Sequence, residues 1–140
     1  MTEASLAERN KATVRRFNDR VISALDETVY RDIFTADFIN HSAPPGAPNG
    51  SEGMWNTFAN VMHPAFPDLT VEIEDQLADG DKVVTRKTIR GTHLGPLMGI
   101  APTGKPVVIT VIDIVRVEDG RYAEHWGVNT LPTVLALLRG

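Results

Sequence analysis

The stretch from Val107 to Val128, VVITVIDIVRVEDGRYAEHWGV, constrains this chain more than any other. Two apolar, β-rich runs flank Glu118-Asp119-Gly120-Arg121. Asp-Gly between such runs predicts a tight hairpin, because the turn needs positive φ, which glycine supplies freely. Period-two alternation assigns Val107, Ile109, Val111, Asp113 and Val115 to one face. Val108, Thr110, Ile112, Ile114 and Arg116 take the other. Both faces are largely apolar, which predicts a hairpin covered on both sides. Asp113 and His125 interrupt that apolar field. A carboxylate set between isoleucines and valines needs a partner, because an unanswered buried charge is costly.

The rest of the composition narrows the classes. A chain of 140 residues, 42% hydrophobic and 23% charged, fits one globular domain spanning 1–140. A net charge of −4 with no basic cluster argues against nucleic-acid binding. The chain has no cysteine, which removes disulfides and thiolate chemistry and agrees with a reducing compartment. No apolar run reaches the roughly 18 residues of a membrane span, and the N-terminus MTEASLAERNK is unlike a signal peptide. The expectation is a cytoplasmic protein without membrane contact.

Leu6, Asn10, Val14, Phe17, Val21 and Leu25 fall at helical spacing, and Ser5 with Glu8 forms a capping box, so a helix is predicted from about 6 to 25. A second short helix is read over Asp26 to Phe34, with Val29, Ile33 and Phe34 inward. SAPPGAPNGS then forms a loop, since three prolines in ten residues sustain neither helix nor ladder. Ser51 caps a third helix carrying Met54, Trp55, Phe58, Val61 and Met62. Strands follow from Leu69 and from about Val83 to His93, turning at Asp79-Gly80. A glycine-rich connector leads into the central hairpin, and Thr130-Leu131-Pro132 opens a last helix to Leu138. Three helices, four long strands and one short helix imply an α+β fold: a curved antiparallel sheet wrapped around the N-terminal helices.

GTHLGPLMGIAPTGK followed by DIVRVEDGRYAEHWGVN resembles the SnoaL-like polyketide cyclases of the nuclear-transport-factor-two-like superfamily. The signatures are Gly91-Thr92-His93, Pro102-Thr103-Gly104, Asp119-Gly120 and Glu124-His125-Trp126, and the likeness runs over nearly the whole chain. It implies a cone with one apolar cavity, pairing of chains through the outer sheet face, and intramolecular aldol ring closure by acid/base side chains with neither metal nor organic cofactor. Carried over residue by residue, Asn40 matches a pocket asparagine and His125 a strand histidine. Asp113 stands where the cyclases place a pocket histidine. Gly127 stands where they place the catalytic aspartate.

Asp113, His125 and Asn40 are therefore the candidate catalytic residues. Desolvation raises the pKa of a buried aspartate toward the range of a general base, whereas a nearby imidazolium opposes it. Histidine suits proton transfer at neutral pH. An asparagine amide donor suits an oxyanion. Phe17, His41, Trp55, Phe58, Arg86, His93, Val111 and Leu131 are candidate substrate contacts. Ion pairing with Glu72 or Glu74 is the competing assignment for Arg86, and core packing competes at the apolar positions. Arg86 and Arg90 share one strand face, and Lys87 takes the other. Four scattered histidines give no zinc spacing, and no nucleophile elbow or phosphate loop occurs.

The leading expectation is a cofactor-free acid/base enzyme acting on a small apolar carbonyl compound, by aldol cyclisation or isomerisation. Hydrolysis of an epoxide or ester by an activated water is one alternative. A non-catalytic small-molecule binding module is another. The apolar outer face, with Ile112, Ile114 and Trp126, predicts a homodimer.

Overall fold

The structure, a computed structural model, describes residues 5–140. Helix α1 (Leu6–Arg16) starts where expected, with Ser5 Oγ accepting from the Glu8 N–H. It continues as a wider π-helical segment over Phe17–Ser23. Phe17, Asn18, Val21 and Ile22 are buried together, with Asn18 four residues after Val14 on the same face.

Helix α2 spans Glu27–Asp32, capped by Asp26. It is shorter than expected, because Phe34 begins strand β1 (Phe34–Asn40) instead of ending the helix. β1 corrects the predicted element order. Its partner is β5, nearly ninety residues away, and the pairing is parallel. Sequence alternation within TADFIN is too weak to announce so distant a ladder.

Helix α3 (Ser51–Asn56), a π-helical stretch Thr57–Met62 and a final turn α4 (His63–Ala65) complete the second helical layer. β2 (Thr70–Asp79), β3 (Lys82–Thr92), β4 (Pro106–Glu118) and β5 (Arg121–Asn129) then form an antiparallel succession. The sheet order is β1-β5-β4-β3-β2, curved and unclosed. Helix α5 (Leu131–Arg139) follows β5.

The β4–β5 turn is the predicted two-residue hairpin. Glu118 pairs with Arg121, and Asp119 and Gly120 take φ of 51° and 77°. Val107, Ile109, Val115 and Val117 on the inner face of β4 are buried, whereas Val108, Ile112 and Ile114 opposite are exposed. The expectation that both faces are covered fails within a single chain. Phe17, Phe34, Phe38 and Tyr122 form an aromatic core between helices and sheet, with the Phe17 and Tyr122 rings stacked at 4.3 Å. Among the described residues no helix is long and apolar enough to cross a membrane.

Candidate active site

Asp113 lies on the inner face of β4, opposite Thr85 of β3 and Gly127 of β5. The hairpin register puts His125 opposite Val115, one inward step away. His125 Nε2 reaches Asp113 Oδ2 at 3.3 Å. The two meet because the register shifts between Arg116 and Val117, where Ala123 is the extra residue, and this turns His125 to the inner face beside Val115.

Asn40, at the end of β1, approaches His125 from the other side. Its Oδ1 accepts from the Ser42 N–H at 3.1 Å and lies 2.8 Å from His125 Nδ1. An oxygen already facing a backbone N–H is fixed as an acceptor, so Nδ1 must carry the hydrogen. Nε2 is left facing Asp113 Oδ2. The 3.3 Å contact is attractive only with a proton between the two atoms. Asn40 therefore presents its carbonyl oxygen to the histidine and orients the imidazole.

Lys87 completes the cluster and was not among the expected site residues. Its ammonium donates to Asn18 Oδ1 at 2.7 Å and lies 3.3 Å from Asp113 Oδ2, with both members of the ion pair about 95% buried. Asn18 is aimed in turn by its Nδ2, which donates to the Val14 carbonyl at 2.8 Å. Desolvation pushes the Asp113 carboxyl up, but Lys87 and then His125 outweigh it and hold the group below the ordinary aspartate value. The raised pKa expected from burial is thus reversed. Oδ2 faces the Lys87 ammonium and the His125 ring, and Oδ1 is buried with no hydrogen-bond partner among the described residues. Tyr122 is within electrostatic reach, its hydroxyl pushed well up by burial and then by the Asp113 charge.

Gly127 leaves the cluster unroofed. A side-chain carbon there would sit 3.0 Å from His125 Cε1, 3.2 Å from Nε2 and 3.3 Å from Asp113 Cβ. Any larger residue would press on the pair.

The remaining candidates divide. Val111 lies one inner-face step from Asp113, cross-strand from Lys87 and Asn129. Leu131 is drawn beside it, because Thr130 bonds the Thr110 backbone in both directions. Phe17 is 2% exposed and belongs to the packed core. Trp55 stacks on Tyr30 at 4.4 Å, and Phe58 packs against the same core from the second helical layer.

Three placements correct the expectation. Arg86 is on the outer face, its guanidinium held by Asp75, because its parity is opposite to that of Lys87. His41 also turns outward, stacking on Trp126 at 4.8 Å and reaching Glu124 at 3.1 Å. His93 is fully buried beneath the connector, where its Nδ1 accepts from the Thr103 N–H at 3.2 Å. It ties the glycine-rich segment to the sheet, eight residues along β3 from the level of Asp113. Lys87 carried a signal that could have found it: a lysine at the inward position between Thr85 and Ile89. Asn18 carried one too: a polar residue four positions after Val14, on the apolar stripe of the predicted helix.

Two surface clefts, of about 550 and 270 Å³, lie around Arg31 to Asp37 and are lined by neither Asp113 nor His125. The side chain of Asp113 is 4% exposed and that of His125 15%, so the pair stands at the inner edge of a closely packed interior. The broad apolar hollow implied by the resemblance is not what surrounds Phe17.

A curved sheet over N-terminal helices, holding an inward acid and imidazole, defines a cone-fold protein with an ionisable pair on its inner face. The sequence profile of the SnoaL-like polyketide cyclases matches residues 12–137. Among solved structures, IdmH from Streptomyces antibioticus, assigned as a polyketide cyclase, is 32% identical with a TM-score of 0.80, over 94% of this chain and 99% of that one. A protein of Jannaschia sp. CCS1 assigned as a SnoaL-like polyketide cyclase is 27% identical with a TM-score of 0.81, over 99% and 96%. AclR from Streptomyces galilaeus, assigned as a hydroxylase, is 29% identical with a TM-score of 0.81, over 96% and 98%. A search of curated protein sequences found no match. The chain belongs to the SnoaL-like polyketide cyclase family.

Proposed function

We propose that this protein is an acid/base enzyme acting on an apolar carbonyl compound, in which Asp113 removes a proton from the carbon beside the carbonyl. The observation that carries the reading is the unequal environment of the two carboxylate oxygens. Oδ2 faces Lys87 and His125, and Oδ1 is buried with no partner. A buried acceptor without a donor is costly, and a substrate C–H delivered there supplies the missing hydrogen.

The proton inventory then follows from geometry. Asp113 Oδ1 accepts the substrate proton, leaving an enolate. His125, steered by Asn40, holds the hydrogen shared between Nε2 and Oδ2 and gives it to the oxygen that becomes negative. If a second carbonyl of the same molecule is attacked by the enolate carbon, the outcome is aldol ring closure; if the carbon is reprotonated elsewhere, it is isomerisation. The absence of a side chain at Gly127 keeps both residues uncrowded, since a carbon there would sit 3.0–3.3 Å from His125 and Asp113. Val111 and Leu131 supply apolar walls that strengthen these interactions by excluding water.

The same pair activating a water would give an epoxide or ester hydrolase. Turnover of a panel of ketones, esters and epoxides in water enriched in oxygen-18 tests the assignment. Product without incorporated label supports carbon-acid chemistry, label in the product supports hydrolysis, and no turnover of any class supports a binding module.

We further infer a homodimer through the outer sheet face. Val108, Ile112, Ile114 and Val128 are 36–69% exposed there, contiguous across the β4–β5 ladder. An apolar patch on the face of a sheet is the pattern of a self-complementary contact.

A further inference from the structure

We propose that Lys87, aimed by Asn18 from the π-helical segment, is a positioning residue that assigns different tasks to the two oxygens of Asp113. This deepens the acid/base reading and rests on it for the catalytic consequence, though not for the electrostatic one. The chain of contacts is directional. The Val14 carbonyl takes the Asn18 amide N–H, which turns Asn18 Oδ1 toward Lys87. Lys87 is then held with its ammonium against Asp113 Oδ2, the oxygen that also faces His125. With Oδ2 occupied from two sides, the carboxylate has one orientation and Oδ1 is its buried atom without a hydrogen-bond partner among the described residues.

Asn18 is buried at 2% exposure on the stripe of Val14, Val21 and Ile22, whereas flanking Arg15, Asp19 and Arg20 stay exposed. No other cation substitutes for Lys87 on its strand: Lys82, Arg86 and Arg90 pair with Asp81, Asp75 and Glu72. The titratable groups turned toward Asp113 are Lys87 on β3 and His125 and Tyr122 on β5. β1 presents the neutral Asn40 and the helical layer the neutral Asn18, while Arg139 of α5 is exposed.

The test uses the intact protein carrying carbon-13 at aspartate carboxyls, with Lys87→Met, Asn18→Ala and the charge-conserving Lys87→Arg. Asp113 is assigned by loss of its signal in Asp113→Asn, and titration is followed by NMR. Loss of Lys87 is expected to raise the proton affinity of Asp113 by about tenfold or more. Asn18→Ala, which keeps the lysine but frees its aim, moves it the same way by less, and Lys87→Arg returns it most of the way. An unchanged Asp113 titration in both Lys87→Met and Asn18→Ala overturns the proposal. Should Lys87→Met not fold, Asn18→Ala alone decides, with an unshifted titration counting against. Failure of the wild type to exchange any carbon acid would sink the enzymatic reading and leave this titration result standing, so the two outcomes are separable.

Discussion

Asp113 and Gly127 are directly opposite one another across the β4–β5 ladder, and the hydrogen atom that serves Gly127 as a side chain leaves the room in which Asp113 meets His125. In the related cyclases the resemblance puts the acid on the Gly127 side of this pair and a histidine on the Asp113 side. Here the carboxylate stands on the neighbouring strand at the same level. The exchange moves the acid by one strand without moving it out of the site.

Gly127→Ala is therefore expected to disturb the pair more than the fold. The new methyl would press on the His125 ring at 3.0–3.2 Å, so the imidazole must rotate off Asp113 Oδ2. Overpacking of this kind costs about 1–3 kcal/mol. The His125 ring resonances should shift, and turnover should fall by about tenfold or more. Unchanged ring resonances would show that the pocket absorbs the methyl.

Phe17→Ala distinguishes core from pocket wall. With its ring stacked on Tyr122 and 2% exposed, Phe17 should behave as a core aromatic, and truncation should cost about 3–5 kcal/mol in denaturant unfolding. A cost well under about 1 kcal/mol would mean that Phe17 borders open space.

The buried ion pair gives a pH dependence with a defined sign. Asp113 is held below its ordinary value in the folded chain, so its contribution to stability is complete above the unfolded aspartate value of about 3.9 and is lost as pH falls through the lower folded value. Asp113→Asn leaves the buried Lys87 ammonium without its counter-charge and should destabilise the fold by about 3–5 kcal/mol near neutrality. The gap between wild type and variant should close as pH falls through that window. A gap that stays constant into acid would show that the charge on Asp113 is not what the fold uses.

The outer face offers an independent check. Ile112→Lys with Val128→Glu puts charges into the exposed apolar patch without touching the inner face. Sedimentation should show a dimer for the wild type and a monomer for the double variant, with the circular dichroism spectrum unchanged. A wild type that sediments as a monomer at all concentrations would contradict the inferred pairing.

How much of this was readable in advance depends on range. The β4–β5 hairpin, its Asp119-Gly120 turn and the inward parity of Asp113 follow from alternation, because period two is a local property, whereas His125 faces inward only through the register shift between Arg116 and Val117. The capped start of α1 is equally local. β1 was missed because its partner is remote and parallel. Asn18 was missed although its spacing from Val14 and Val21 puts it on the inner helical face. Arg86 was placed inside the site against its own parity: the face it shares with Arg90 is the outer one, and the inward lysine beside it was the informative residue. Asn40 was read as an amide donor to an oxyanion; that its oxygen meets His125 depends on the Ser42 N–H, a contact of the loop that no periodicity describes.

The central claim is that Asp113 Oδ1 takes a proton from carbon. Its most direct measurement is wash-in of deuterium from heavy water at the carbon beside the carbonyl in a panel of cyclic and linear ketones and β-diketones, followed by NMR with wild type and Asp113→Asn, each confirmed folded under the conditions used. The account predicts exchange above the buffer rate for at least one ketone class with wild type, and its fall to the buffer rate with Asp113→Asn. Equal exchange by both proteins, or none by the wild type, would contradict it.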